Sequence, residues 1–311
     1  MDGARYVFGP LPSRRLGRSL GVDIIPRKLC TLDCLYCELG PTDKRGLRRK
    51  EYVSPSVVLP EIQSAISRGG VDYITFSGSG EPTLNSSLGS MIRSVKSMTA
   101  IPVAVITNGT LLFLEEVRND LLKADVVLPS LDAATDAAFE RLDRPHAHLR
   151  LAEIIEGLKR FRKEYDGTIL LEVFLAKGIN DSENDILALE ETIAEIHPDR
   201  VQLNTVVRPP AYPSAIAVDP ERLEEIRALF GPTCEIIAPG KQSRSAGAGP
   251  DTEVLLETIQ RRPLSVKEIA VMFEKSEDQA LRWLDGLEKN GVVHPSVFGG
   301  TKFYKHATRQ H

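Results

Sequence analysis

Cys30-Thr-Leu-Asp-Cys34-Leu-Tyr-Cys37 gathers three of the chain's four cysteines into eight residues. Four cysteines are too few to staple 311 residues with disulfides, and clustered cysteines in an intracellular chain point to metal or redox chemistry. Three thiolates on one tight loop can cap three irons of a [4Fe–4S] cluster and leave the fourth iron open to a substrate or cofactor. A tetrahedral zinc site asks instead for a fourth Cys or His at regular spacing. The first histidine of the chain is His146, more than a hundred residues beyond Cys37, which weakens the zinc reading and leaves it as the alternative. Cys234 stands alone and reads as a small buried apolar residue.

Outward from this loop, short apolar runs alternate with helical patterns. Strands are expected near 20–25, 73–77, 102–107, 125–131, 168–176 and 200–206. Between them lie amphipathic stretches such as 149–164, and Asp181-Ser182-Glu183-Asn184 is a helix start. Such alternation makes an α/β fold with parallel strands and right-handed crossovers. Six units predict an open, partial (β/α)6 TIM-type barrel over 1–237. Residues 238–250, rich in Gly, Ser and Pro, read as a flexible linker. Beyond it, 251–311 reads as a small domain of three helices, two of them capped by Ser265 and Ser276, and a hairpin turning at Gly299-Gly300. That order resembles a winged helix-turn-helix module.

Composition narrows the function. With 42% hydrophobic and 26% charged residues the chain is globular, and its net charge of −4 gives no global footprint for nucleic acid or an anionic membrane. No apolar block follows Met1 and no run reaches a membrane span, so the expected compartment is the cytoplasm, with no membrane partner. Charge is uneven, however. Residues 1–60 hold eleven Lys and Arg against six Asp and Glu, including Arg14, Arg15, Arg18, Arg27, Lys28 and the run Lys44, Arg45, Arg48, Arg49, Lys50. These read either as a solvated basic surface or as groups that hold an anionic substrate or offset a thiolate-ligated cluster. Residues 251–311 are neutral, with nine charges of each sign.

The cysteine spacing resembles the signature of the radical S-adenosylmethionine (radical SAM) superfamily. Three further segments carry the resemblance. Phe76-Ser-Gly-Ser-Gly-Glu-Pro-Thr-Leu-Asn85 looks like that superfamily's GGEP motif, with Ser79 at its first Gly. Ile106-Thr-Asn-Gly-Thr110 and Leu128-Pro-Ser-Leu-Asp-Ala133 follow the third and fourth expected strands, at carboxyl ends where such barrels bind ligands.

The resemblance implies one [4Fe–4S] cluster on Cys30, Cys34 and Cys37, with S-adenosylmethionine (SAM) on its open iron. It implies backbone from Gly78, Ser79, Gly80, Glu81 and Pro82 beside the methionine amino group, with Glu81 either the nearest side chain or a loop-orienting carboxylate. Tyr36 takes the aromatic position against adenine, or packs under the cluster loop. Asn108, Ser130 and Asp132 are candidates for the ribose and the methionine carboxylate, Asn108-Gly109 being alternatively only a turn. Gln202 and Asn204 alternate on the sixth strand and are expected to face the adenosine or the substrate; Glu172 and Lys177 are weaker candidates. His146 and His148 sit after the fourth strand, where a proton donor would be convenient, or are simply solvated. The implied activity is reductive cleavage of SAM to methionine and a 5′-deoxyadenosyl radical that abstracts hydrogen from a substrate. An electron donor of flavodoxin or ferredoxin type is the implied partner.

Substrate is less legible. Gly9-Pro-Leu-Pro-Ser-Arg-Arg-Leu-Gly-Arg-Ser-Leu-Gly-Val-Asp23 and Ala176-Lys-Gly-Ile-Asn-Asp181 resemble an uncharacterised Fe–S oxidoreductase group similar to the tRNA wyosine-base synthases. Those synthases carry a second cysteine cluster, which Cys234 alone cannot supply. Expected substrates are therefore a small metabolite or a partner protein or peptide, with tRNA modification as the alternative and a cluster-sensing winged-helix regulator as the non-enzyme one. Lys275, Arg282 and Lys289 around the helix at 276–289 are outnumbered by Glu277, Asp278, Asp285 and Glu288, which favours protein docking or substrate presentation over phosphate binding.

Overall fold

The computed structural model describes residues 5–13, 15–42, 44–237 and 252–307. Arg14 and the stretch 238–250 lie outside the described residues. The chain opens with a hairpin, β1 (Val7–Ser13) and β2 (Gly17–Val22), and a two-stranded ladder, β3 (Leu29–Cys30) with β4 (Lys44–Arg45). Helices and strands then alternate: α1 (Pro55–Ser67), β5 (Tyr73–Phe76), α2 (Leu88–Met98), β6 (Val103–Thr107), α3 (Glu115–Leu121) and β7 (Val126–Pro129). They continue with α4 (Asp136–Leu142), α5 (Leu151–Glu164), β8 (Thr168–Leu175), α6 (Glu183–Ile196), β9 (Arg200–Thr205), α7 (Pro220–Leu229) and β10 (Cys234–Ile236).

One mixed sheet runs in the order β1-β2-β5-β6-β7-β8-β9-β10, parallel throughout except at the antiparallel β1 edge. The order has two ends, so the sheet is open. The six expected strands are present, joined by β1 and β10 at the edges. β1 carries Pro10 and Pro12, residues that hide a strand from pattern reading and that only an edge tolerates.

Alternation sends one side chain set to each face. Val103, Val105, Val127, Leu171, Val173, Val201 and Leu203 pack with the helices in the main core. The opposite set, Ala104, Val126, Leu128 and Leu170, is covered by Leu16 from the β1–β2 turn. Helix ends follow the local chemistry: Ser182 caps α6 by accepting from the Asp185 amide, and His197 closes it in the left-handed region. Cys234 is buried at 4% exposure, as its lone position suggested.

After residue 251 come α8 (Thr252–Arg261), β11 (Leu264–Ser265), α9 (Val266–Met272), α10 (Glu277–Lys289), β12 (Val293–Phe298) and β13 (Thr301–His306). Ser265 with Glu268 and Ser276 with Gln279 form reciprocal capping boxes, and Gly299 and Gly300 both take the positive φ that a two-residue hairpin turn demands. The strands form a sheet in the order β11-β13-β12 over their own apolar cluster, which includes Leu255, Ile269, Leu284 and Tyr304. Leu11 and Phe8 of β1 pack into that cluster, so the C-terminal module shields the edge of the main sheet. No helix among the described residues is long and apolar enough to cross a membrane.

Candidate functional site

The cysteine loop leaves β2 at its carboxyl end. Leu29 and Cys30 pair with Lys44 and Arg45, and the loop between them carries Cys34 and Cys37. All three cysteines are half-buried and unbridged. Burial, with Glu81 adding negative charge nearby, pushes the Cys30 thiol up to about 12, and burial with Asp143 raises Cys34 well above its ordinary value. Burial thus favours the protonated forms of Cys30 and Cys34, and a metal bound there would favour their thiolates.

Polar groups converge on the sulfurs. Lys28 donates its Nζ to Cys37 Sγ at 3.3 Å and to the Gly40 carbonyl, and Asn108 directs its Nδ2 at Cys30 Sγ at 3.5 Å. Among the described residues no three His, Cys, Asp or Glu side chains converge as ligands of one ion do. Three thiols on one loop, with an ammonium and an amide N–H aimed at sulfur, suit the thiolate ligands of an iron–sulfur cluster.

The loop after β5 closes over this one. Lys28 N–H donates to the Ser79 carbonyl at 2.7 Å and Glu81 N–H to the Leu29 carbonyl at 3.1 Å. A Cβ on Gly80 would lie 2.0 Å from that Leu29 oxygen, so only glycine allows the approach. Gly78 has φ +145° and a Cβ there would meet Asp23 at 2.4 Å. Ser79, at the position of the motif's first glycine, donates its hydroxyl to Asp23 Oδ2 at 2.6 Å. Pro82 opens a 3-10 turn, Pro82–Leu84, capped by Glu81.

Glu81 is 2% exposed, and its carboxylate accepts from Thr83 N–H (3.0 Å), Thr83 Oγ1 (2.6 Å), Thr107 Oγ1 (2.6 Å) and Asn108 N–H (2.8 Å). Through these bonds the carboxylate joins the end of β6 to the β5 loop, as a loop-orienting group does. Asn108 completes the tie by donating to Thr31 Oγ1 at 2.8 Å in the cysteine loop.

Asn108, Ser130 and Asp132 line one cavity of about 20 Å³ with Asp143, room for a water molecule. Tyr36 joins them: its hydroxyl donates to Asp132 and its ring stacks on Phe174 at 3.7 Å. Burial pushes Asp132 up to about 7 and raises Asp143 well above the carboxylate range, where the Asp132 charge raises it further. Asp143 was not singled out from sequence, because an Asp in a helix-terminal Leu-Asp-Arg gives no signal.

Gln202 and Asn204 are buried on the face opposite the helices. Asn204 Nδ2 reaches Glu172 at 3.4 Å, but Gln202 turns to Glu235 at 2.9 Å at the sheet edge, away from the cysteine loop. Arg15 pairs with Glu172, both side chains under 20% exposed, and so is not part of a solvated surface. Arg18 pairs with Asp72 at 3.3 Å, Lys177 with Asp219 at 2.6 Å, and His146 and His148 meet edge to face at the surface.

The model of the radical SAM superfamily matches residues 24–189, more than half of the chain. The chain belongs to the radical SAM superfamily. Radical SAM enzymes use a [4Fe–4S] cluster and SAM, and the chain is accordingly an enzyme of this class. It is 33% identical over 307 residues to a UPF0026 protein of Helicobacter pylori, covering 96% of each. It is 38% identical over 305 residues to a Brachyspira hyodysenteriae protein named GTPase Obg, covering 96% of this chain but only 45% of that one. The chain thus spans under half the length of that relative. In fold it is similar to a radical SAM methyltransferase from Sphaerobacter thermophilus, with a TM-score of 0.54 and 20% identity over 70% of this chain and 65% of that one.

Proposed function

We propose that Cys30, Cys34 and Cys37 hold one [4Fe–4S] cluster and that SAM lies between it and the carboxyl ends of β5 to β9, over residues 1–237. When bound, this pair supplies the electron and the 5′-deoxyadenosyl radical that removes a hydrogen atom from the substrate. The observation that carries the reading is the cysteine loop itself: three thiols on one loop, with Lys28 and Asn108 directed at the outer two. Gly78–Pro82 present backbone to the methionine end, held in place by Glu81 and Asp23. Asn108, Ser130 and Asp132 offer polar contacts to the ribose and carboxylate. Asn204, beside Glu172, faces the adenosine or the substrate from β9, whereas Gln202 is committed to Glu235 at the sheet edge.

Lys44 and Arg45 are exposed and pair directly with the strand that carries Cys30, which supports an acidic electron carrier of flavodoxin or ferredoxin type approaching from that side. The substrate is a small metabolite or a partner protein or peptide. The module at 251–311, winged-helix-like in its order of elements and electrically neutral, acts in docking rather than in phosphate binding.

Anaerobic reconstitution followed by iron and sulfide analysis tests the ligand assignment. The wild-type chain is expected to bind about four of each, and a Cys30→Ala, Cys34→Ala, Cys37→Ala variant less than one. One zinc and no iron per wild-type chain contradicts it.

A further inference from the structure

Two chains of ion pairs and hydrogen bonds cross from the C-terminal module into the two loops assigned above to the cofactors. The first starts at Arg261, the last residue of α8. Its Nε lies 3.4 Å from Asp23 Oδ2, the oxygen that accepts from both the hydroxyl and the N–H of Ser79, and Asp23 abuts Gly78. Three further contacts hold the guanidinium: Nη1 donates to the Glu257 carbonyl at 2.9 Å, Nη2 to the Arg5 carbonyl at 3.2 Å, and its plane lies 4.1 Å over the Phe8 ring. Side chains of Arg261 and Asp23 are 13% and 8% exposed, so solvent screens this pair weakly.

The second starts at Glu268. Its Oε2 closes the capping box of α9 with Ser265, while Oε1 accepts from Arg208 Nη2 at 2.5 Å. Arg208, 8% exposed, spends its other arm on Glu38 at 2.9 Å, the residue that follows Cys37. Two further contacts run parallel to these. Arg27 Nη1 donates to the Gln260 carbonyl at 2.5 Å, and Phe298 at the hairpin tip packs in the cluster that holds Leu35, Tyr36 and Phe174.

A module that served only to dock a partner has no need to spend buried charge on the two loops that hold the cofactors. We propose that Arg261 and Glu268 are positioning residues of the cofactor site: Arg261 fixes the SAM-contacting loop through Asp23, and Glu268 fixes the exit of the cysteine loop through Arg208 and Glu38. The proposal rests on the assignment of those loops to SAM and the cluster.

The test uses the full-length, anaerobically reconstituted chain and reads SAM binding rather than turnover. Equilibrium dialysis gives the dissociation constant for SAM, and electron paramagnetic resonance gives the change in the reduced cluster's spectrum when SAM is added. Glu268→Gln keeps the capping box, since glutamine serves there equally, and removes the charge that faces Arg208 and the neighbouring Arg262. Arg261→Met keeps length and apolar packing, and Arg261→Lys restores the charge.

Arg261→Met is expected to weaken SAM binding about 10-fold, a change that 1.4 kcal/mol of misplaced loop produces. Arg261→Lys should recover most of that loss, and Glu268→Gln should alter the SAM-induced spectral change while iron content stays at the wild-type level. Should Arg261→Met fail to fold, Glu268→Gln and Arg261→Lys carry the test. Variants that lose melting temperature but bind SAM within twofold of wild type, with the same spectral response, overturn the proposal and leave the module a packing element. A wild-type chain that binds no SAM overturns the cofactor assignment itself, a result the variants do not confuse with the former.

Discussion

Equilibrium unfolding of a Glu81→Leu variant is expected to show a loss of about 2–4 kcal/mol, together with loss of SAM binding. The carboxylate takes four hydrogen bonds, two of them from backbone N–H groups of Thr83 and Asn108 that have no other acceptor at hand. Each orphaned buried donor costs about 1–3 kcal/mol, while the two threonine hydroxyls can rotate toward other partners. Against this stands the desolvation of the carboxylate, which raises its pKa and which leucine removes. The hydrogen-bond loss is the larger effect, because four donors compensate one charge. Glu81→Gln should fall between the two, keeping one acceptor oxygen and placing an NH2 against donors. A leucine variant with unchanged stability and unchanged SAM affinity contradicts the role given to this side chain.

Asn180→Ala is expected to cost about 3–5 kcal/mol, the range for breaking a buried network at three points. Asn180 is fully buried, and its side chain donates to the Asp132 carbonyl at 2.7 Å and the Phe174 carbonyl at 2.8 Å while accepting from the Ala176 N–H at 2.8 Å. It pins the end of β8 to the segment that carries Asp132, so the damage reaches the site as well as the fold. Asn180→Asp is the sharper variant. The carboxylate keeps the Ala176 bond but sets negative charge against two carbonyl oxygens, and burial raises its pKa. Its folded-state pKa then exceeds the unfolded value, so stability falls as pH rises and recovers as the carboxyl is protonated. Denaturant midpoints at pH 5 and pH 8 check this; equal midpoints for Asn180→Asp and wild type at pH 8 contradict it.

The barrel strands were legible because each pairs a β-branched run with a following helix: Tyr73–Phe76, Val103–Thr107, Val126–Pro129 and Thr168–Leu175 lie within two residues or so of where pattern reading puts them. What was hidden has physical reasons. β1 was obscured by Gly9, Pro10 and Pro12, which its place at an edge permits, and β10 is only three residues long. The caps at Ser182, Ser265 and Ser276 were readable since capping is local chemistry.

Side-chain partners were not readable, since they depend on pairings distant in sequence. Arg15 looked like surface charge and meets Glu172, 157 positions on in sequence, inside the open sheet. Glu81 carried a motif that named its place without naming its four donors. Arg208 and Glu268 sit in no motif at all, and the buried bond between them becomes visible only when the module is placed against the barrel.

The most direct test of the central assignment is the yield of 5′-deoxyadenosine when the anaerobically reconstituted chain is mixed with dithionite and SAM. 5′-Deoxyadenosine and methionine are expected to form with the wild-type chain and to fall to the protein-free background in the Cys30→Ala, Cys34→Ala, Cys37→Ala variant. Product that persists undiminished in that variant, or a fully loaded wild-type chain that binds SAM and never cleaves it whatever cell extract is added, contradicts radical chemistry at these three cysteines.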